Sequence, residues 1–495
     1  MRPLILSLTL LAIAGLPLAA ADGPTPKPKP AASADDDDDK PAPKPGGGAT
    51  ASGGGQNTLR APVFEDVSSV TRNFIDPDLL PDTPNPITLF GDGFWEPGTL
   101  QNGRITPTLI VYGDLRSAYS YIEKPDVGSD TDVATARSRL TLEADLKLTA
   151  TERFHARFVP ISHGDQDTRI DFRPEFQETF EHSLKPQTLF FEGELDSIIS
   201  DFGGSAQHDG TDLNYAIAAG KFPLELNNGY LVSDIFTGVG VTKNNISVPW
   251  ASDLGVGVIY AFHDVDANAG TGKPAAGDAF SLLGLHGFAD AADLRIETSL
   301  LMLDVQNADQ VVGGRDRRQY YGAVSFAWLR GPVGQGLHLL GKMGDPDVTG
   351  NGALVVYESN VRLTPVYVDG GAYAMLNAFF GSPHWNSISG NLNQVGTTFQ
   401  TDNLTGFPNQ RGDGRDEAGV ALAVQIKTLR RRLHFIPEVS YVDDRSDANN
   451  DTTALGMRIN YGFGDRYVLR MDLRHFIPKV GDSFNAGRAE FQIKF

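Results

Sequence analysis

A closed, antiparallel, transmembrane β-barrel of about eighteen strands is the fold this sequence predicts. Three observations point to it: an apolar leader at the start, ten-residue bursts of alternating apolar and polar side chains through residues 106–495, and a last burst that ends on phenylalanine.

Residues 1–21 carry an early cation, Arg2, an apolar run from Leu4 to Leu16, and Ala19, Ala20 and Ala21 before Asp22. This is the pattern of a secretory signal cleaved after Ala21. The run is shorter than the ~20 residues a spanning helix needs. No later stretch holds ~18 continuous apolar residues, which excludes a helical inner-membrane protein. The mean hydropathy of −0.22 still suits a barrel, because a barrel strand needs ~10 residues with only every second one apolar. There is no cysteine, so disulfides and thiolate metal sites are excluded. The formal net charge of −20 disfavours nucleic acid, whose phosphates require clustered Lys and Arg.

Residues 22–56 are rich in Pro, Ala, Gly and Asp, with almost no large apolar side chain. Such a stretch buries too little surface to offset chain entropy and reads as a disordered tether. Residues 57–105, including DPDLLPDTPNP and GDGFWEPG, hold no sustained period of either kind. Their apolar residues Val63, Phe64, Phe74, Phe90, Phe94 and Trp95 still call for burial, as a plug, as a cap or against a neighbouring chain.

From 106 onward the period is 2. In RSRLTLEADLKL, Leu140, Leu142, Ala144, Leu146 and Leu148 share one face, and Arg139, Thr141, Glu143, Asp145 and Lys147 the other. A soluble sandwich shows the same pattern. Connections that alternate between short (Thr149 to Glu152, Asp290 to Asp293, Gly331 to Gln335) and long favour the barrel. So do aromatics near strand ends, such as Tyr119, Tyr121, Phe154, Phe158, Tyr260, Phe262, Phe463 and Tyr467. The bursts start near residues 106, 133, 153, 187, 213, 236, 253, 279, 293, 318, 336, 353, 366, 416, 432, 453, 466 and 486. The stretches 190–195 and 236–246 are weakly patterned, so sixteen strands also fit. Either count is even, and a closed sheet leaves no backbone edge in lipid.

The end, RAEFQIKF, puts Ala489, Phe491, Ile493 and Phe495 on one face. It resembles the last strand of bacterial outer-membrane barrels, which the barrel-assembly machinery recognises. The resemblance implies an outer-membrane location, with lipid and lipopolysaccharide around the wall.

With the apolar faces turned to lipid, the opposite faces line a lumen. The expected lining includes Arg116, Arg137, Arg139, Glu143, Asp145, Arg157, Arg295, Glu297, Arg362, Arg458, Arg470, Arg474 and Arg488. Cations dominate this set, while acid is concentrated in the tether and in SHGDQD, DVDANAG and DDRSDANND. A basic wall favours anions, although mixed charges also simply pair across strands. ARSRLTLEADLKLTATERFHARF and AAGKFPLELNNGYLVSDIFTGVGVT are similar to segments of the alginate-export type of eighteen-strand channel. That resemblance implies a conduit for an acidic polysaccharide, with Arg137, Arg139, Arg157 and Lys221 among its cations. The longest loop, 382–415, is a candidate constriction, a cover for the outer mouth or a solvated surface loop.

Catalytic patterns are missing: no HExxH, no GxSxG, and a GxxxxGK at 336–342 followed by Met343 instead of Ser or Thr. His155, His182, His286, His434 and His475 lack ligand spacing, so no enzyme and no cofactor is expected. The expectation is a passive channel for hydrophilic solutes, with a plugged, surface-binding barrel as the alternative.

Overall fold

The structure, a computed structural model, describes residues 87–90 and 108–495, apart from 124–131, 149–151, 162–167, 203–214, 266–279, 306–317, 345–349, 365–370, 401–403, 405–406, 411–413, 430–431 and 464–465. The leader, the tether and most of 57–105 lie outside the described residues.

In chain order the strands are β1 (Ile87–Phe90), β2 (Thr108–Ile122), β3 (Val133–Lys147), β4 (Arg153–Ile161), β5 (Thr168–Arg173), β6 (Gln177–Thr179), β7 (Pro186–Glu194), β8 (Tyr215–Leu226), β9 (Val232–Lys243), β10 (Asp253–His263), β11 (Phe280–Ala291), β12 (Leu294–Val305), β13 (Arg318–Arg330), β14 (Val333–Met343), β15 (Gly352–Arg362), β16 (Gly371–Gly381), β17 (Glu417–Thr428), β18 (Leu433–Asp444), β19 (Thr452–Phe463), β20 (Tyr467–Pro478) and β21 (Phe484–Lys494). One helix, α1 (Leu195–Phe202), follows β7.

Eighteen of these strands form a closed antiparallel wall. Sequential neighbours pair throughout, β4 pairs with β7, and β2 pairs with β21 to close the circle. The closing register sets Asp114 opposite Lys494 and Ile122 opposite Ala486. It is continued by reciprocal backbone bonds between Gly113 and Phe495 at 2.9 and 3.1 Å. Strand β5 continues the position of β4, pairing with Ala134 to Ser138 of β3 above the stretch that β4 occupies, and β6 folds back on it. Within 57–105, β1 pairs with Leu109, Ile110 and Val111 at the start of β2.

The weakly patterned stretches are strands: β7 and β9 complete eighteen rather than sixteen. The ends of the barrel differ. Two-residue turns join β11 to β12 and β13 to β14 at the end where Phe495 lies, and residues 382–416 join β16 to β17 at the opposite end. Two connections break the rule. Residues 195–214, including α1, occupy a short-turn position, and the tight connection 227–231 between β8 and β9 occupies a long-loop position.

Alternation decides which side meets what. On β10, Val256, Val258 and Tyr260 are exposed while Gly255, Gly257, Ile259 and Ala261 are buried. The same exposed apolar rows continue through Leu283 and Leu285, Leu300, Leu339, Leu376, Leu422 and Leu473. Leaving one such side chain in water forgoes about 1.5–3 kcal/mol relative to burial. An entire belt of them is stable only against lipid.

Candidate functional site

The interior can be identified by contacts between strands that are not neighbours in the wall, because such contacts must cross the barrel. Strands β8 and β9 rise as one ribbon. At the directly paired Gly220 and Gly238 both chains press on the adjoining strands. A Cβ at 220 would lie 2.4 Å from Leu189 O, and one at 238 would lie 2.3 Å from Tyr260 O. Gly220 also has φ +124°, a conformation side chains disfavour.

Beyond this point the ribbon reaches β12 to β15. Asn227 N donates to Glu297 Oε1 at 2.7 Å, and its side chain donates to Ser325 Oγ at 3.0 Å. Asn228 Nδ2 donates to Glu358 Oε1 at 3.1 Å, and the Tyr230 hydroxyl donates to the same carboxylate. His338 bridges Ser325 Oγ at 2.8 Å and Glu358 Oε2 at 3.1 Å. All of these groups are buried, where an unpaired polar group costs about 1–3 kcal/mol; the bonds above meet that cost for the donors, while the side-chain oxygens of Asn227 and Asn228 find no partner among the described residues.

Residues 382–400 fold in beside the ribbon. Ile388 N donates to Leu231 O and Asn391 N to Gly229 O, at 3.2 and 3.1 Å. Tyr230, Leu231, Phe236, Trp385, Ile388 and Phe399 then pack on wall residues such as Ile259, Leu282, Leu301, Leu340, Leu354 and Phe379. This corrects the expectation that only polar faces turn inward. Along β10 to β17 the long-loop half of the interior face is apolar and covered. The signal was present in continuous apolar runs, SLLGL of β11 and SLLML of β12, which suit burial on both faces.

The opposite wall is charged. Arg116 forks onto Glu490 at 2.7 and 2.9 Å. Arg458 binds Asp472 at 2.5 Å, while Arg488 reaches Asp472 at 3.3 Å and also Glu490. Arg470 stands opposite Glu490, Arg139 opposite Arg116, and Arg137 opposite Ala118. Toward the short-turn end Arg157 binds Glu143 at 2.8 Å, and Asp145 takes Tyr112 at 3.0 Å and His155 at 2.9 Å. Arg153 joins Asp145, at 3.3 Å, to Glu192. Tyr112, Arg153 and Glu192 belong to this cluster and were not singled out from the sequence; His155, which also belongs to it, was named only as a histidine without ligand spacing.

Exposure separates these cations into two groups. Arg458 and Arg474 are bound by Thr397, Gln400 and Pro408, and with Arg488 they are nearly inaccessible. The side chains of Arg116 and Arg157 are 25% and 27% exposed. Elsewhere Arg295 lies over Phe288 and 3.6 Å from Asp290, and Glu297 is sealed under the ribbon tip. Arg362 lies 5.6 Å from the Tyr373 ring centroid, which it shares with Lys427.

Lys221 is a correction. It pairs with Leu189 and Thr237, on the face that carries exposed Val239 and Val241, and binds Asp264 at 3.0 Å. It therefore faces away from the lumen. The inward residues of β8 are Phe222, Leu224 and Leu226, which meet the apolar filling, so an apolar-outward rule inverts this strand. The second segment likened to the alginate-export type is thus a bent ribbon of two strands joined by a tight tip.

No protein-family model matches the chain, and no curated protein matches it. Among solved structures it is similar to a BenF-like porin from Pseudomonas fluorescens Pf-5, with TM-score 0.51 and 10% identity over 78% of this chain and 98% of that one. It is also similar to OccAB4 of Acinetobacter baumannii, with TM-score 0.50 and 11% identity over 80% and 99% of the two chains. Closure, strand number and this likeness agree that the chain has the eighteen-strand antiparallel barrel fold of outer-membrane porins.

Proposed function

We propose that this protein is a passive outer-membrane channel for small hydrophilic solutes, with a preference for anions. The observation that carries this reading is the division of the interior. Residues 382–400 and the β8–β9 ribbon fill the β10–β17 side, while the wall of β21, β2, β3 and β4 keeps guanidinium groups partly exposed. Arg116, Arg137, Arg139 and Arg157 form the accessible basic strip, and a row of fixed cations lowers the barrier for anions. Half-filling supports a small solute over a polysaccharide. The leader, the lipid-facing belt and the phenylalanine-ended β21 support export, lipopolysaccharide-rich surroundings and handling by the barrel-assembly machinery, with the 227–231 end outward.

Single-channel recording of the refolded protein in planar bilayers tests the reading, with and without residues 22–105. Open steps in the full chain support it. Steps only after truncation would establish the plugged alternative.

A further inference from the structure

We infer that Glu438 and Arg474 are positioning residues: a buried pair of opposite charges that grips one turn of the 382–416 loop from both sides and fixes the width of the passage. The inference deepens the channel reading and rests on it.

Glu438 lies on the interior face of β18 and accepts from Thr397 N at 2.6 Å, from Thr398 N at 2.9 Å and from the Thr398 hydroxyl. Arg474, on β20, donates to carbonyls of the same turn, Thr397 O at 2.5 Å and Gln400 O at 3.3 Å, and also to Pro408 O further along the loop. The carboxylate therefore holds the N–H ends of the turn and the guanidinium its C=O ends, which aligns the peptide dipoles between two attracting charges. Both side chains are buried, so neither is offered to a solute.

Small residues make the fit possible. A Cβ at Gly396 would lie 2.7 Å from Glu438 Oε1, and one at Gly456 would lie 2.8 Å from Thr398 Cγ2. Removing Glu438 leaves the buried N–H groups of the turn without their acceptor, and removing Arg474 leaves its buried carbonyls without their donor, so either change disrupts the seat. The consequence for specificity is that Arg474 acts on the loop, while Arg116 and its neighbours act on the solute.

The test uses the full chain, whose lack of cysteine makes introduced thiols unique. Glu438→Ala and Arg474→Ala should each raise open-channel conductance and add rapid closures, with folding checked by heat-modifiable gel mobility. The paired variant Thr398→Cys with Gly456→Cys, where a Cβ at 456 lies 2.8 Å from the Thr398 Cγ2 that a thiol would replace, should on oxidation restore quiet, wild-type-sized steps to Arg474→Ala, and lose them again on reduction. Quiet steps of unchanged size in both alanine variants would overturn the clamp. So would an Arg474→Ala channel that stays quiet while its reversal potential moves toward cations. An oxidised pair that forms without restoring the trace would overturn it too. If the wild type conducts nothing, the channel reading fails, and the clamp is still read by maleimide labelling of Thr398→Cys. Glu438→Ala should accelerate that labelling, and an unchanged rate would overturn the clamp.

Discussion

Asp264, just past β10 and outside the spanning strands, shows how one charge can be read. Burial pushes its carboxyl up, but hydrogen bonds from Thr237, Lys221 and His263 outweigh this and hold it below its ordinary value. A carboxyl lowered on folding adds stability that is complete above the unfolded pKa, ~3.9, and disappears as pH falls through the folded value. Asp264→Asn keeps a side chain that tolerates φ +59° and removes only the charge. The variant should lose about 0.5–1 kcal/mol at pH 7, the modest worth of a partly exposed pair. Thermal unfolding in detergent should show that gap closing in acid, and a gap that persists below both pKa values would refute the assignment. At this scale Arg116, Arg137, Arg139 and Arg157 were legible because alternation alone sets their face. Lys221 was not, because its apolar neighbours Phe222 and Leu224 face a core that no local pattern announces.

Among elements, the β8–β9 ribbon depends most on a single position. Valine at 220 would meet Leu189 O and Phe190 Cα and occupy φ +124°, a strain of about 1–3 kcal/mol before the clash is added. Gly220→Val should therefore lower the temperature of heat-modifiable unfolding and unseat Tyr230 from Glu358. Melting like the wild type would mean that the bend is not built on this glycine. Strand starts at 133, 153, 253 and 318 could be read directly from period-2 bursts bounded by turn residues. The β16 start, expected near 366 and found at Gly371, was blurred because the sequence VYVDG carries the same alternation; residues 365–370 lie outside the described residues. The inward path of 382–416 was less legible still. Its anchors Glu438 and Arg474 are 41 and 77 residues from the backbone they hold, and Asn377, on β16 just before the loop, carries no local signature.

For the whole molecule, closure and passage are separate matters. Closure was foreseeable from the even count and from the alternation of RAEFQIKF, which pairs with β2 to seal the wall. The lumen was foreseeable only as a polar interior. Its division into an apolar filling and an arginine-bearing wall arises from two segments that cross the barrel, and on the proposed channel reading it determines what a solute meets. The central claim is that ions pass along the Arg116, Arg137, Arg139 and Arg157 strip. Its most direct test is the zero-current potential of single channels under a salt gradient, in the wild type and in Arg116→Ala with Arg139→Ala. The wild type should show a potential of the sign set by anions, and the double variant a potential shifted toward cations. A clear cation preference in the wild type, or an identical potential in the two, would contradict the account.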